Sequence, residues 1–112
     1  MVLRIGKKDA VVVTILVTGR LDAVEAAPLR TTIGDHLTNG TNRIIVDLSA
    51  VEFVDSAGLA ALVIGMKRAR LEGGDLRLVT PHHPDARRVF ALTKFDDVFE
   101  MADDVELARK GW

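Results

Sequence analysis

RIIVDLSAVEFVDSAGLAALVIGMKRA, residues 43–69, is the stretch on which the fold turns. Its opening RIIVDL is β-branched and apolar at successive positions, the pattern of a strand buried on both faces. From Ala57 the period changes. Leu59, Leu62, Val63, Met66 and Ala69 recur at three- and four-residue spacing, on one face of a helix that Gly73-Gly74 stops. Between strand and helix lies a predicted loop, residues 49–57, which carries Asp55 and Ser56 to the helix N-terminus. Strand, loop and helix in this order form half of a βαβ unit, so the flanks are read for strands that would join it.

Upstream, residues 10–19 (AVVVTILVTG) read as a second buried strand, paired with residues 2–6 through a turn at Lys7, Lys8 and Asp9. Pro28 fits the first position of a helix and no deeper one, and Leu29, Ile33 and Leu37 follow at four-residue spacing up to Asn39-Gly40. Downstream, residues 75–80 (DLRLVT) form another strand, and Pro84 opens a helix containing Val89 and Phe90. A short apolar piece follows at Val98-Phe99, and Asp103 or Asp104 N-caps a last helix through Leu107. The alternation predicts an α/β fold: a mostly parallel sheet with right-handed crossovers, an antiparallel N-terminal strand pair and about four covering helices. Functional loops in such sheets lie past the carboxyl ends of the strands, here residues 19–22, 49–57 and 80–84.

Composition narrows the chemistry. A chain of 112 residues is expected to be a single domain, residues 1–112, able to bury about two-thirds of its unfolded surface. Cysteine is absent, which removes disulfides, thiolate ligands and a cysteine nucleophile, and fits a reducing compartment. No signal-peptide pattern and no run of about 18 apolar residues occurs, so a cytoplasmic location is expected, with no membrane partner. The formal charge of -1 and the absence of Tyr give no electrostatic or stacking case for direct nucleic-acid binding.

The loop before the second helix carries the informative chemistry. Ser56 at a helix N-terminus would meet uncapped N–H groups and the positive end of the dipole, a setting that accommodates a phosphate on the hydroxyl. Asp55 and Ser56 are equally suited to capping that helix, and the two roles are compatible.

DLSAVEFVDSAGLAALV resembles the signature of STAS domains, specifically the anti-sigma factor antagonists, with Asp47, Leu48, Ser49, Val51, Phe53, Asp55, Ser56, Gly58, Leu59 and Leu62 where that pattern expects them. VTGRLDAVEAAPLR, with Gly19, Leu21 and Asp22, and GGDLRLVTP are similar to two further segments of the family. The resemblance implies a STAS-type fold and a partner-switching cycle. The unmodified protein binds an anti-sigma factor with serine kinase activity and frees the sigma factor. The kinase phosphorylates Ser56, and a phosphatase acting on phospho-Ser56 restores binding. Asp55 corresponds to the acidic residue before the serine, and Asp22 to a loop aspartate near it. The partner surface is expected to use Asp22, Asp55, Ser56, Ala57, Gly58, Ala60 and Ile64, with Ala61 also on the exposed helix face. No cofactor, metal or catalytic residue is implied. Two further roles share the fold: a STAS subunit of another assembly, such as a stress-signalling complex or a lipid-transport ABC system, and a small nucleotide-binding module.

Other motifs carry less. V-D-S-A-G lacks the first glycine of a G-x-S-x-G nucleophile elbow, and nothing in the sequence brings His36, His82 or His83 to Ser56 as a base. Adjacent His82 and His83 have no third ligand at metal-site spacing. Residues 67–70 (KRAR) complement the end of their helix, Arg87-Arg88 read as a solvated face, and Gly73-Gly74 is a helix stop with no phosphate-loop motif after it.

Overall fold

The computed structural model describes residues 2–8 and 12–112. In chain order the elements are β1 (Val2–Lys8), β2 (Val12–Leu21), α1 (Ala23–Thr38), β3 (Arg43–Val54), α2 (Ser56–Leu71), β4 (Asp75–Val79), α3 (Pro84–Thr93), a 3-10 turn (Phe95–Asp97), β5 (Met101–Ala102) and α4 (Val105–Ala108). The five strands form one sheet in the order β1-β2-β3-β4-β5. β1 runs antiparallel to β2, with Leu3 opposite Val17 and Ile5 opposite Ile15, and the other three pairings are parallel. This is the mixed, mostly parallel α/β sheet that the alternation predicts.

Because each strand lies beside the one before it, the crossovers advance in one direction, and their right-handedness places α1, α2 and α3 on one face. That face holds the main core, in which Ile15, Val46, Leu62, Leu78 and Phe90 from five different elements pack together. The opposite face carries a smaller cluster of Val12, Ile45, Val79 and Ala108, covered by Trp112. Arg77 fixes this lid: its guanidinium lies 3.8 Å from the Trp112 ring centroid, and its Nη1 donates to the carbonyls of Ala108 and Lys110 at 2.9 and 2.8 Å.

Several boundaries differ from the sequence expectation. β3 does not end at Leu48 but continues through Val54, so most of the predicted loop is strand. Its partner β4 pairs only as far as Asp47, and beyond that point β2 is the strand with which β3 pairs. Two register shifts occur there, between Leu16 and Thr18 and between Gly19 and Arg20, so the buried positions Leu48, Val51 and Val54 recur every three residues. Bulges of this kind erase the period-two signal that marks a strand.

α1 begins at Ala23, so Pro28 lies inside the helix and not at its first position. Asp22 moves the start forward, because its Oδ1 accepts from the amides of Val24 and Glu25 at 3.1 and 3.2 Å. The carbonyl that Pro28 leaves without its helical donor is that of Val24, an exposed residue in the first turn. Lys7 and Lys8 belong to β1 and not to the turn, while Asp9 lies outside the described residues, as do Ala10 and Val11 of the expected strand. Leu37, Asn39 and Gly40 end α1 as expected, β4 stops at Val79, and Asp104 caps α4 by accepting from the Leu107 amide at 2.8 Å. After α2 the chain reverses so tightly that a Cβ on Gly74 would stand 1.8 Å from the Asn42 carbonyl oxygen.

Candidate functional site

β2 and β3 end side by side, each passing through one aspartate into a 16-residue helix. Asp22 caps α1 and Asp55 caps α2. Asp55 does more than cap its own helix. Its Oδ1 accepts from the Gly58 amide at 3.0 Å, while Oδ2 accepts from the amide of Ala23, the first residue of α1, at 3.2 Å. Its own N–H donates to the Leu21 carbonyl at 3.2 Å. One carboxylate thus joins the positive ends of two helix dipoles, and the two strand–helix junctions form one corner.

The corner closes because position 58 has no side chain. A Cβ there would lie 2.4 Å from the Leu21 carbonyl oxygen and 2.8 Å from Leu21 Cγ, distances that no real Cβ adopts. Gly58 is buried accordingly, a packing role rather than a free contact surface.

Ser56 is the first residue of α2, exposed, and not the cap. With Asp55 taking the Gly58 amide, no described residue forms a hydrogen bond with the Ser56 hydroxyl. The two roles that the sequence leaves to both residues are divided between them. Asp55 and Asp22 are half-buried and engaged by backbone amides, Ala57 is half-buried, and Ala60 and Ile64 are exposed, Ile64 to 46%. Ala61, expected on the same face, is instead buried at 1% exposure, because helix phase turns it inward with Leu62.

One pair beside the corner escaped sequence reasoning. The Arg20 guanidinium lies 4.0 Å from the Phe53 ring centroid, and its Nε is 3.6 Å from Asp22 Oδ2. The two residues are brought opposite by the parallel register of β2 and β3, which two bulges shift. Only the register reveals the pair; no local pattern does.

The chemistry available is that of a reachable alcohol flanked by two helix N-termini, a place where an added phosphoryl group meets partial positive charge. The histidines stand elsewhere: His36 is in the last turn of α1, His83 caps α3 by accepting from the Asp85 amide at 3.3 Å, and the His82 amide donates to the Ser49 carbonyl at 3.2 Å. Among the described residues no group of three or more His, Asp or Glu is placed to hold a metal ion.

Replacing Asp55 by alanine is expected to lower stability by about 2 kcal/mol, since it removes the cap of α2 and the bridge to α1 together. Asp55→Asn, which keeps one acceptor oxygen, is expected to lose about half as much. Urea midpoints at constant slope test the order; equal losses for the two variants would assign the effect to charge and not to the two-amide bridge.

The STAS domain pattern matches residues 5–108. A Bordetella bronchiseptica protein named as the anti-sigma factor antagonist BtrV is 27% identical over 108 residues, covering 96% of this chain and 91% of its own. The crystal structure of an anti-sigma factor antagonist from Mycobacterium paratuberculosis superposes with a TM-score of 0.84 at 28% identity, covering 97% of this chain and 91% of that one. A Thermotoga maritima crystal structure gives a TM-score of 0.83 at 28% identity, covering 96% of this chain and 90% of that one. The match takes in the β2–α1 and β3–α2 junctions and all the described residues except 2–4 at the start of β1 and 109–112: the chain belongs to the STAS domain family.

Proposed function

We propose that this chain is an anti-sigma factor antagonist that works by partner switching in the cytoplasm. Its unmodified form binds an anti-sigma factor with serine kinase activity and releases the sigma factor. Phosphorylation of Ser56 ends that binding, and a phosphatase reverses it. The observation that carries the reading is the division of labour at the corner: Asp55 performs the capping, which leaves the Ser56 hydroxyl exposed at the first position of a long helix. The names borne by the similar proteins support the same role. The surface around it would comprise Asp22, Ala57, Ala60 and Ile64, with Asp55 and Gly58 shaping it from beneath. The role is one of binding, without catalysis by this chain, and no described helix is long and apolar enough to cross a membrane.

The test is direct. Incubation with the cognate kinase and ATP is expected to add one phosphate, located at Ser56 by mass spectrometry, and Ser56→Ala is expected to bind the kinase yet take up none. Full labelling of Ser56→Ala would overturn the assignment.

A further inference from the structure

The exposed face of α2 does not end near Ser56. Ala57, Ala60, Ile64, Lys67 and Leu71 recur at alternating spacings of three and four along the whole helix, and none of them is buried. Spacing of that kind forms a straight ridge, the seam along which two helices pack with knobs into holes. The ridge rises from small residues beside Ser56 to large ones far from it. Ile64 is 46% and Leu71 86% exposed, the latter a large apolar side chain in open solvent. Around Leu71 lies a shallow, open depression lined by Met66, Lys67, Arg70 and Leu71.

Charge along α2 is one-sided. Between Ser56 and Leu71 there is no acidic residue, and the last two turns carry Lys67, Arg68 and Arg70. Arg70 is already committed, its Nε 2.8 Å from Asp75 Oδ1 and its Nη2 3.2 Å from the Val98 carbonyl. Lys67 stands on the ridge itself and is exposed. A basic, apolar seam fits an occupant that is apolar along one stripe and acidic beside it.

We propose that the whole length of α2 is a docking surface for a helix of the anti-sigma factor, an amphipathic helix whose apolar stripe packs on Ile64 and Leu71 and whose acidic side chains face Lys67 and Arg68. This rests on the reading of the chain as an antagonist and extends it. At 1.5 Å per residue Leu71 lies about 22 Å from Ser56, so the far end contributes affinity that the phosphate does not touch. Phosphorylation would then weaken one end of an extended contact and leave the other.

The experiment measures binding of the purified cognate anti-sigma factor to wild type, Leu71→Ser, Lys67→Glu, Ser56→Asp and the double variant Ser56→Asp/Leu71→Ser. Thermal unfolding of each is recorded alongside, and is expected not to move for the exposed positions 67 and 71. Leu71→Ser is expected to weaken binding about tenfold, mostly through faster dissociation. Lys67→Glu is expected to slow association and flatten its salt dependence. Beyond about 10 Å effects add, so the double variant should show the product of the two single losses. If Ser56→Asp weakens binding while Leu71→Ser and Lys67→Glu leave it unchanged, the extended ridge is refuted and the antagonist reading stands. If the wild type does not bind the anti-sigma factor, both fall. A concentration-dependent dimer that Leu71→Ser abolishes, with affinity for the anti-sigma factor unaltered, would assign the ridge to a second copy of this chain and overturn the proposal.

Discussion

Phosphorylated at Ser56, the protein is expected to bind its anti-sigma factor several hundredfold more weakly while unfolding at the same or a slightly higher temperature. The two readouts separate because the phosphate meets opposite environments. Within its own chain it sits at the start of α2, where the dipole and the free first-turn amides favour negative charge by about 0.3–1 kcal/mol. Against a partner it places about two negative charges in a contact built for an uncharged hydroxyl, a penalty of roughly 3–4 kcal/mol. Ser56→Asp, with one charge on a shorter side chain, should show about half that energy and a loss of about twentyfold. Calorimetric titration of the three forms, with melting curves on the same samples, gives the comparison. A phosphate that lowered affinity and melting temperature together would mean that the switch acts by disordering the corner, not by occupying its surface.

Gly58→Val is expected to be the most damaging single substitution at the site, lowering stability by about 3 kcal/mol or more. The obstruction is backbone, the Leu21 carbonyl at 2.4 Å from an added Cβ, and no rotamer change removes it. Nor is Leu21 free to retreat: its side chain is fully buried and its carbonyl accepts from Asp55. α2 must move away, which breaks the Asp55 bridge to Gly58 and Ala23 and displaces Ser56. Even Gly58→Ala should therefore cost both stability and binding. A valine variant with an unchanged urea midpoint would show that the junction of β2 with α2 is softer than this packing implies.

How much of this was legible in the sequence depended on whether the signal was local. Helix ends were readable because their determinants lie within a few residues: Asn39-Gly40, Gly73-Gly74, Pro84 and Asp104 all mark the boundaries that the structure has. Strand β3 was readable only to Leu48, since its second half owes its conformation to a bulged register with β2, 30 or so residues away in sequence and invisible to periodicity. Pro28 lies deeper in α1 than the rule for proline in helices predicts, because the Asp22 cap outweighs one lost helical bond. At the site, the sequence marks Asp55 and Ser56 as a pair, but their distinct roles depend on the Ala23 amide, which arrives from another helix. The Arg20–Phe53 pair is illegible locally for the same reason, and the inward turn of Ala61 follows from a helix phase that spacing alone does not fix near a terminus.

The sheet is threaded in the order in which it is synthesised, β1 to β5 from one edge to the other. Each new strand finds its neighbour already present, and no strand must be inserted between two others. Loop closures are therefore short, and a chain emerging from the ribosome can add one strand and its helix at a time. Refolding from denaturant is expected to be fast for a mainly parallel sheet. The corner at Ser56 is complete once α2 has docked, well before the C-terminal α4 and the Trp112 lid exist.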